Sequence, residues 1–419
     1  MENTNIMEFE PKIEFELIDE PEMGIEPDNE NEVLDDPFNP EEISIDSKTV
    51  PMETCLRRLT QGTIKLNPDF QRNEVWTIEK KSQLIESLML KIPLPMFYVS
   101  ADEKNNYTVV DGLQRLSTIR SFILGDEYLE TRDLSKKGNG FKLENLEFWK
   151  TFKGNTFNDL PSNLQNRILE TEFAFTVINP GTPEEVRRNI FKRINTGGLP
   201  LSSQEIRNAL YIGHSTVLLK ELSVSPEFLE ATGYSIKSLR MEDRELILRF
   251  LAFFVRDYTS YTRTIGVDSF LSDTMLIINA MPTLNTQEFK KFIEKDKDKR
   301  VNINDIEVRY IELIKESFKK AMNRAHDLFG KHTFRKSYDN KKRIQVNKSL
   351  FETWGVLLSK LTESAFQKLL SRQEALMADY IPYLENYNFQ IAISRDSMKH
   401  LAVKLRFDTI SALINKHIQ

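Results

Sequence analysis

The sequence predicts an α+β protein, with strands and helices mixed up to residue 213 and helices alone over 214–419. Two observations carry that expectation. Apolar runs that read as strands, bounded by turn residues, occur only in the first half, at Ile64–Leu66, Met96–Val99, Tyr107–Val110 and Phe173–Ile178. Beyond Gly213 the apolar residues recur at helical spacing. The charge is also divided. Residues 1–47 hold 17 Asp and Glu against one Lys, while the other 372 hold 56 Lys and Arg against 46 Asp and Glu. The formal net charge of −6 therefore joins an acidic arm to a mildly basic body.

The elements follow in order. Residues 1–47 mix acids with Pro, Asn and scattered apolar residues, a composition that cannot offset ordering entropy, so a disordered tail is expected. Two roles stand open for it: a solubilising tail, or an arm that docks on the basic body and gates it. The apolar residues Phe9, Ile13, Phe15 and Leu17 favour docking. A mixed domain is expected over 48–213. Met52–Leu59 reads as a helix ended by Gly62, and Leu84, Ile85, Leu88 and Met89 mark a second helix over Lys80–Leu90. A third starts at Gly112 and runs to about Phe122, and further helices are expected at Glu184–Ile194 and Ser203–Tyr211. The helical domain over 214–419 includes Arg244–Val255, with Leu246, Ile247, Phe250, Leu251 and Phe254 on one face. Asp305–Phe329, Leu350–Leu361, Phe366–Met377 and Met398–Ile414 complete it.

Several classes fall away. One cysteine, Cys55, allows no intramolecular disulfide and no cysteine-based zinc site. No run of about 18 apolar residues is present to cross a membrane. The Glu-rich start does not read as a secretory signal, so a cytoplasmic protein without a membrane partner is expected. Neither a Walker A pattern nor Gly-x-Ser-x-Gly occurs. The five histidines form no metal-binding pattern, so no metal ligands are assigned.

Three segments carry chemistry. In the first, the apolar run Tyr107–Val110 passes through Asp111–Gly112 directly into an amphipathic helix. The first-turn N–H groups of such a helix form an anion site. Arg115 lies in that same turn, where a cation opposes the helix dipole. Either an anion fills the site, or Arg115 pairs with Asp111 or another carboxylate. The second segment, Gln71–Arg72 before Trp76, offers another guanidinium of the shape that grips phosphate, or one stacked on Trp76. The third places Gly197–Gly198 between two helices, the later one opened by a Ser202/Glu205 capping box. Arg193, Asn195, Glu205, Arg207 and Asn208 crowd this corner, which reads either as a plain helical hairpin or as a functional turn.

Taken with Ser82–Ser87 and Ile92–Pro95, these motifs resemble one family in order and spacing. It is the family that forms the N-terminal half of GmrSD-type, modification-dependent (type IV) restriction enzymes. Arg240–Leu251 is similar to members that lack the nuclease half, and the expectation is a stand-alone member of that kind. The resemblance implies a ParB/sulfiredoxin-like α+β core with a nucleotide-phosphate site, in a family where the site is linked to binding and hydrolysis of a nucleoside triphosphate; Mg²⁺ is the ion such a nucleotide would bring with it. The family's Asp-Gly-Gln-Gln-Arg motif matches Asp111, Gly112, Gln114 and Arg115, with Leu113 in place of the first Gln. On this reading Asp111, Gln114 and Arg115 are catalytic candidates, and Gln71, Arg72, Gly112, Arg193 and Asn195 bind nucleotide. The family's HNH nuclease half has no counterpart among the motifs here.

DNA contact has a separate candidate. Lys331, Arg335, Lys336, Lys341, Lys342 and Arg343 fall within 13 residues, with His332, Phe334 and Tyr338 between them. Cations neutralise phosphates and aromatic rings stack on bases; a solvated basic loop is the plainer alternative. The leading expectation is a nucleotide-binding regulator of a prokaryotic restriction or phage-defence system, working with a separate nuclease or defence partner and able to oligomerise. A non-catalytic DNA-binding accessory protein is the alternative, and a nuclease with an unrecognised site ranks last.

Overall fold

The computed structural model describes residues 24–26, 44–66, 76–180, 182, 184–194, 201–236, 240–295, 300–395 and 397–419. The chain divides into two compact units, one of Leu34–Ile212 and one of Met1–Val33 with Gly213–Gln419.

The first unit is α+β. Its strands are β1 (Ile45–Pro51), β2 (Ile64–Lys65), β3 (Phe97–Ala101), β4 (Tyr107–Asp111) and β5 (Glu172–Ile178). Its helices are α1 (Met52–Thr60), α2 (Ile78–Met89), α3 (Leu113–Leu124), α4 (Asp126–Thr131), α5 (Ser162–Leu169), α6 (Glu184–Ile194) and α7 (Ser203–Leu210). The sheet order is β1-β5-β3-β4-β2. The pairings alternate: β1/β5 and β3/β4 are antiparallel, while β3/β5 and β2/β4 are parallel. The central strands are the most apolar, as two-sided burial requires. Phe97, Val99, Val109, Phe173, Phe175 and Val177 lie in the core with Leu56, Ile85, Leu116 and Ile119 from the helices. Cys55 is buried among them, and burial pushes its thiol up to about 12, so it serves as a small core side chain rather than a nucleophile.

One strand departs from the sequence reading. β1 begins at Ile45, inside the segment expected to be disordered. Six of its seven residues are exposed, so it has no alternating apolar signal. Its backbone ladder to β5, from Ile45 opposite Ile178 to Pro51 opposite Glu172, holds it instead.

A buried carboxylate organises the long connection after α4. Glu86 of α2 accepts hydrogen bonds from the backbone N–H groups of Glu147, Phe148 and Trp149 at 2.9, 2.8 and 2.8 Å. Ser82, one turn earlier, accepts from Glu144 N at 2.9 Å. A segment with no regular structure is thereby tied to the helix that precedes β3.

The second unit is helical. It comprises α8 (His214–Ser223), α9 (Pro226–Thr232), α10 (Glu242–Val255), α11 (Val267–Ala280), α12 (Gln287–Lys295) and α13 (Ile311–Phe329). It continues with α14 (Lys348–Lys360), α15 (Glu363–Ser371), α16 (Gln373–Glu385), α17 (Tyr387–Ser394) and α18 (His400–Ile418). The expected one-sided face of α10 proves too narrow. Leu248, Ala252, Phe253 and Val255 are buried as well, because α8, α11 and α14 surround the helix. The expected start of α13 at Asp305 moves to Ile311. Ile303–Asp305 forms a short 3₁₀ turn, and Ile306 is drawn into a bridge with Arg256. Phe366–Met377 is broken at Arg372 into α15 and α16.

Three charges lie at the centre of this unit. Glu352 of α14 accepts from Arg249 Nε of α10 at 2.9 Å and from Arg406 Nη2 of α18. All three side chains are at most 2% exposed. Arg406 also donates to Thr353 Oγ1 at 3.2 Å and to the carbonyls of Ala392 and Ser397. Burial pulls its guanidinium down, and the Glu352 carboxylate pushes it back up.

Candidate functional site

The strand–glycine–helix corner of the first unit holds the Asp111–Arg115 pair. The β3/β4 register shifts by one residue between Tyr98 and Val99, which leaves Val110 as the extra residue just before Asp111. A bulge of this kind re-aims the end of a strand. Gly112 then adopts φ +95°, a left-handed conformation that a side chain would strain. A Cβ there would overlap Cδ1 of Phe97 and come within 2.8 Å of its Cε1. Helix α3 starts at the next residue, and no side chain caps it. Leu113 points into the core at 7% exposure, as its place in the first turn leads one to expect.

Arg115 folds back across this corner. Its Nη2 donates to Asp111 Oδ2 at 2.8 Å and to the Met96 carbonyl at 3.3 Å, and its Nη1 donates to the Pro95 carbonyl. The guanidinium carbon lies 4.5 Å from the centre of the Phe97 ring. The side chain of Arg115 is 12% exposed, that of Asp111 40%. Burial lowers the Arg115 pKa, and the Asp111 carboxylate opposes the shift. The clash between a first-turn cation and the helix dipole is thus met inside the fold by one carboxylate, two carbonyls and a ring face. Of the two readings open from sequence, the Asp111 pair is the arrangement present.

The structure brings Asp111, Gly112 and Arg115 together, and Gln114 is half-buried in the same turn. Arg193 is exposed near the end of α6. Gln71, Arg72 and Asn195 lie outside the described residues, as do Gly197 and Gly198. The Ser202/Glu205 capping box is present: Glu205 N donates to Ser202 Oγ at 3.1 Å, and Ser202 N donates to Glu205 Oε2 at 2.6 Å. The polar residues after it face inward. Gln204, Glu205, Arg207 and Asn208 are all buried, and Arg207 Nη1 donates to Gln204 Oε1 at 2.8 Å. Sequence reasoning missed Phe97 and the Pro95 and Met96 carbonyls. Pro93 and Pro95 stop the preceding helix, but nothing local ties that stretch to Arg115.

The basic segment of the second unit needs correction. Arg335 is not a surface cation: it is 3% exposed. It donates to the carbonyls of Ile344, Thr333 and Thr232 at 2.7, 2.8 and 2.6 Å and to Ser235 Oγ at 2.9 Å. The expected base-stacking rings are interior too. Phe334 packs edge-on against Phe351 at 4.6 Å, and Tyr338 bonds to Glu385 and Lys341. His332 is buried between Ser337 Oγ at 2.8 Å and the Asp339 carbonyl at 2.9 Å, and burial lowers its pKa. Arg343 is half-buried over Gly233, and Lys336 is engaged by Glu26 and Ser394. Lys331, Lys341 and Lys342 remain exposed, Lys341 with Glu385 at 3.5 Å and the Tyr338 hydroxyl as partners. Among the described residues, no group of three or more His, Cys, Asp or Glu is placed to hold a metal ion, and no helix is long and apolar enough to cross a membrane.

Fold and corner together define an α+β module whose central hairpin turns through a left-handed glycine into an uncapped helix. Residues 54–212 of the chain match the family model of the GmrSD restriction endonuclease, N-terminal domain. The match ends where the α+β unit ends, at Ile212, so the helical unit lies outside it. It bears out the family resemblance and points to a restriction or phage-defence context. No curated protein matches the chain.

Proposed function

We propose that the α+β unit binds a nucleoside triphosphate at the Asp111–Gly112 corner, and that the chain acts as a nucleotide-dependent regulator in a DNA restriction or phage-defence system. The observation that carries this reading is the uncapped start of α3 at a left-handed glycine, with the Asp111–Arg115 pair folded across it. Amides of a helix's first turn favour an anion. A phosphate arriving there competes with Asp111 for Arg115, the side chain best shaped to hold it. Gln114 positions the phosphates or an attacking water, and the family resemblance adds Gln71, Arg72, Arg193 and Asn195 as nucleotide-binding candidates. A divalent ion such as Mg²⁺ fits a single nearby carboxylate, because it is bound chiefly through substrate phosphates and water. Asp111 is the residue that would hold it.

The test is equilibrium binding and hydrolysis of the common triphosphates by the full chain. Arg115→Ala is expected to weaken binding about 10- to 100-fold, the loss of charge-assisted hydrogen bonds. Asp111→Asn is expected to retain binding and lose turnover. Absence of binding by the wild type, or binding indifferent to Arg115, sinks the reading.

A second reading, a DNA-binding accessory role for the helical unit, is favoured by the exposed Lys331, Lys341 and Lys342 alone.

A further inference from the structure

The acidic arm makes a defined contact with the helical unit. Ile25 forms a parallel bridge with Val346. Gly24 N donates to the Ser235 carbonyl at 2.7 Å, Glu26 N to the Val346 carbonyl at 2.9 Å, and Val346 N returns a bond to Gly24 O at 3.2 Å. The Glu26 carboxylate fastens the segment by accepting from Lys336 Nζ and from Asn347 Nδ2, the latter at 2.7 Å. Gly24 has φ +89°, which suits glycine and strains other residues.

The receiving groove is built from buried parts. Arg335 ties Thr232 and Ser235 to the 333–344 loop and so fixes the Ser235 carbonyl that meets Gly24. Asn347 is the N-cap of α14, its Oδ1 accepting from Leu350 N at 2.9 Å, while its Nδ2 also donates to the Ile393 carbonyl at 2.7 Å. The groove thus offers backbone partners to an extended segment and two side-chain donors to a carboxylate. The residue that seats Glu26, Lys336, belongs to the basic segment whose exposed members are Lys331, Lys341 and Lys342.

We propose that Gly24–Ile25–Glu26 is an intramolecular latch. It fills a strand-docking groove beside Val346, occupies Lys336 with the Glu26 carboxylate, and anchors the acid-rich arm to the helical unit at this point. The arm therefore competes with DNA for the basic segment, and release of the latch frees Lys336 and removes the competing charge. This inference rests on the DNA-binding reading of the helical unit and not on the nucleotide reading.

The test uses the full chain carrying Gly24→Pro and Glu26→Ala. Proline removes the N–H and cannot adopt a positive φ. Binding to a short fluorescein-labelled DNA duplex at low ionic strength is expected to tighten about ten-fold, because the competing charge is released. The gap narrows as salt is raised. A synthetic peptide of residues 20–30, added to the unlatched variant, is expected to restore weak binding, and the same peptide with Glu26→Ala is not. Both substitutions lie in the arm, so the thermal transition of the body serves as the folding control. Equal DNA binding by wild type and variant, failure of both to bind, or a peptide without effect on the variant would each overturn the latch.

Discussion

Replacing Glu352 with alanine is expected to lower the stability of the helical unit by about 3–5 kcal/mol, the cost of breaking a buried ion pair by removing one partner. Glu352 is the carboxylate that Arg249 and Arg406 share, and all three side chains are at most 2% exposed. Its removal leaves two guanidinium charges in the interior without the anion between them, and the three helices that carry them, α10, α14 and α18, lose their common polar centre. Chemical denaturation followed by circular dichroism reads the effect. Replacing all three residues together, as Arg249→Met, Glu352→Leu and Arg406→Met, is expected to cost far less, because well-packed apolar groups avoid the desolvation penalty. Similar losses for the single and triple variants would show that side-chain packing, rather than uncompensated charge, sets the cost.

Gly112→Ala is the second change with a large expected effect. Alanine at φ +95° is strained, and its Cβ would drive into Phe97. Phe97 has little room to retreat: it stacks on Phe175 at 5.3 Å and meets Phe173 edge-on at 5.0 Å. Left-handed strain and overpacking together predict a loss of about 2–5 kcal/mol in the α+β unit. Phe97 also carries the Arg115 guanidinium on its face, so nucleotide binding is expected to fall with stability. Phe97→Leu in the Gly112→Ala background makes room for the methyl group and should recover part of the stability. Wild-type stability for Gly112→Ala alone would contradict the packing described for this corner.

Legibility in the sequence followed the range of the interaction. The β4–α3 junction was readable because an apolar run, Asp-Gly and a helical pattern are contiguous. The Ser202/Glu205 box was readable because its partners are three residues apart. β1 was not, since backbone pairing with a strand more than a hundred residues away holds it while its side chains remain exposed. Arg335 was misread for a related reason. Its neighbours in sequence are cations, yet its partners are carbonyls from Thr232 to Ile344. The arm's charge hinted at docking on the basic segment, but the groove beside Val346 is assembled from α9, the 333–347 loop and the end of α17, which no local pattern joins. At the candidate site, the residues were legible and the Asp111–Arg115 pairing was one of two readings. The ring and carbonyls that hold Arg115 in place were visible only in three dimensions.

The central claim is that a nucleoside triphosphate is held at the start of α3. Amide hydrogen exchange of the full chain, with and without saturating nucleotide, tests it most directly. Protection of peptides covering Tyr107–Leu116, lost in Arg115→Ala, is the predicted result. Nucleotide-dependent protection elsewhere with that segment unchanged would contradict it.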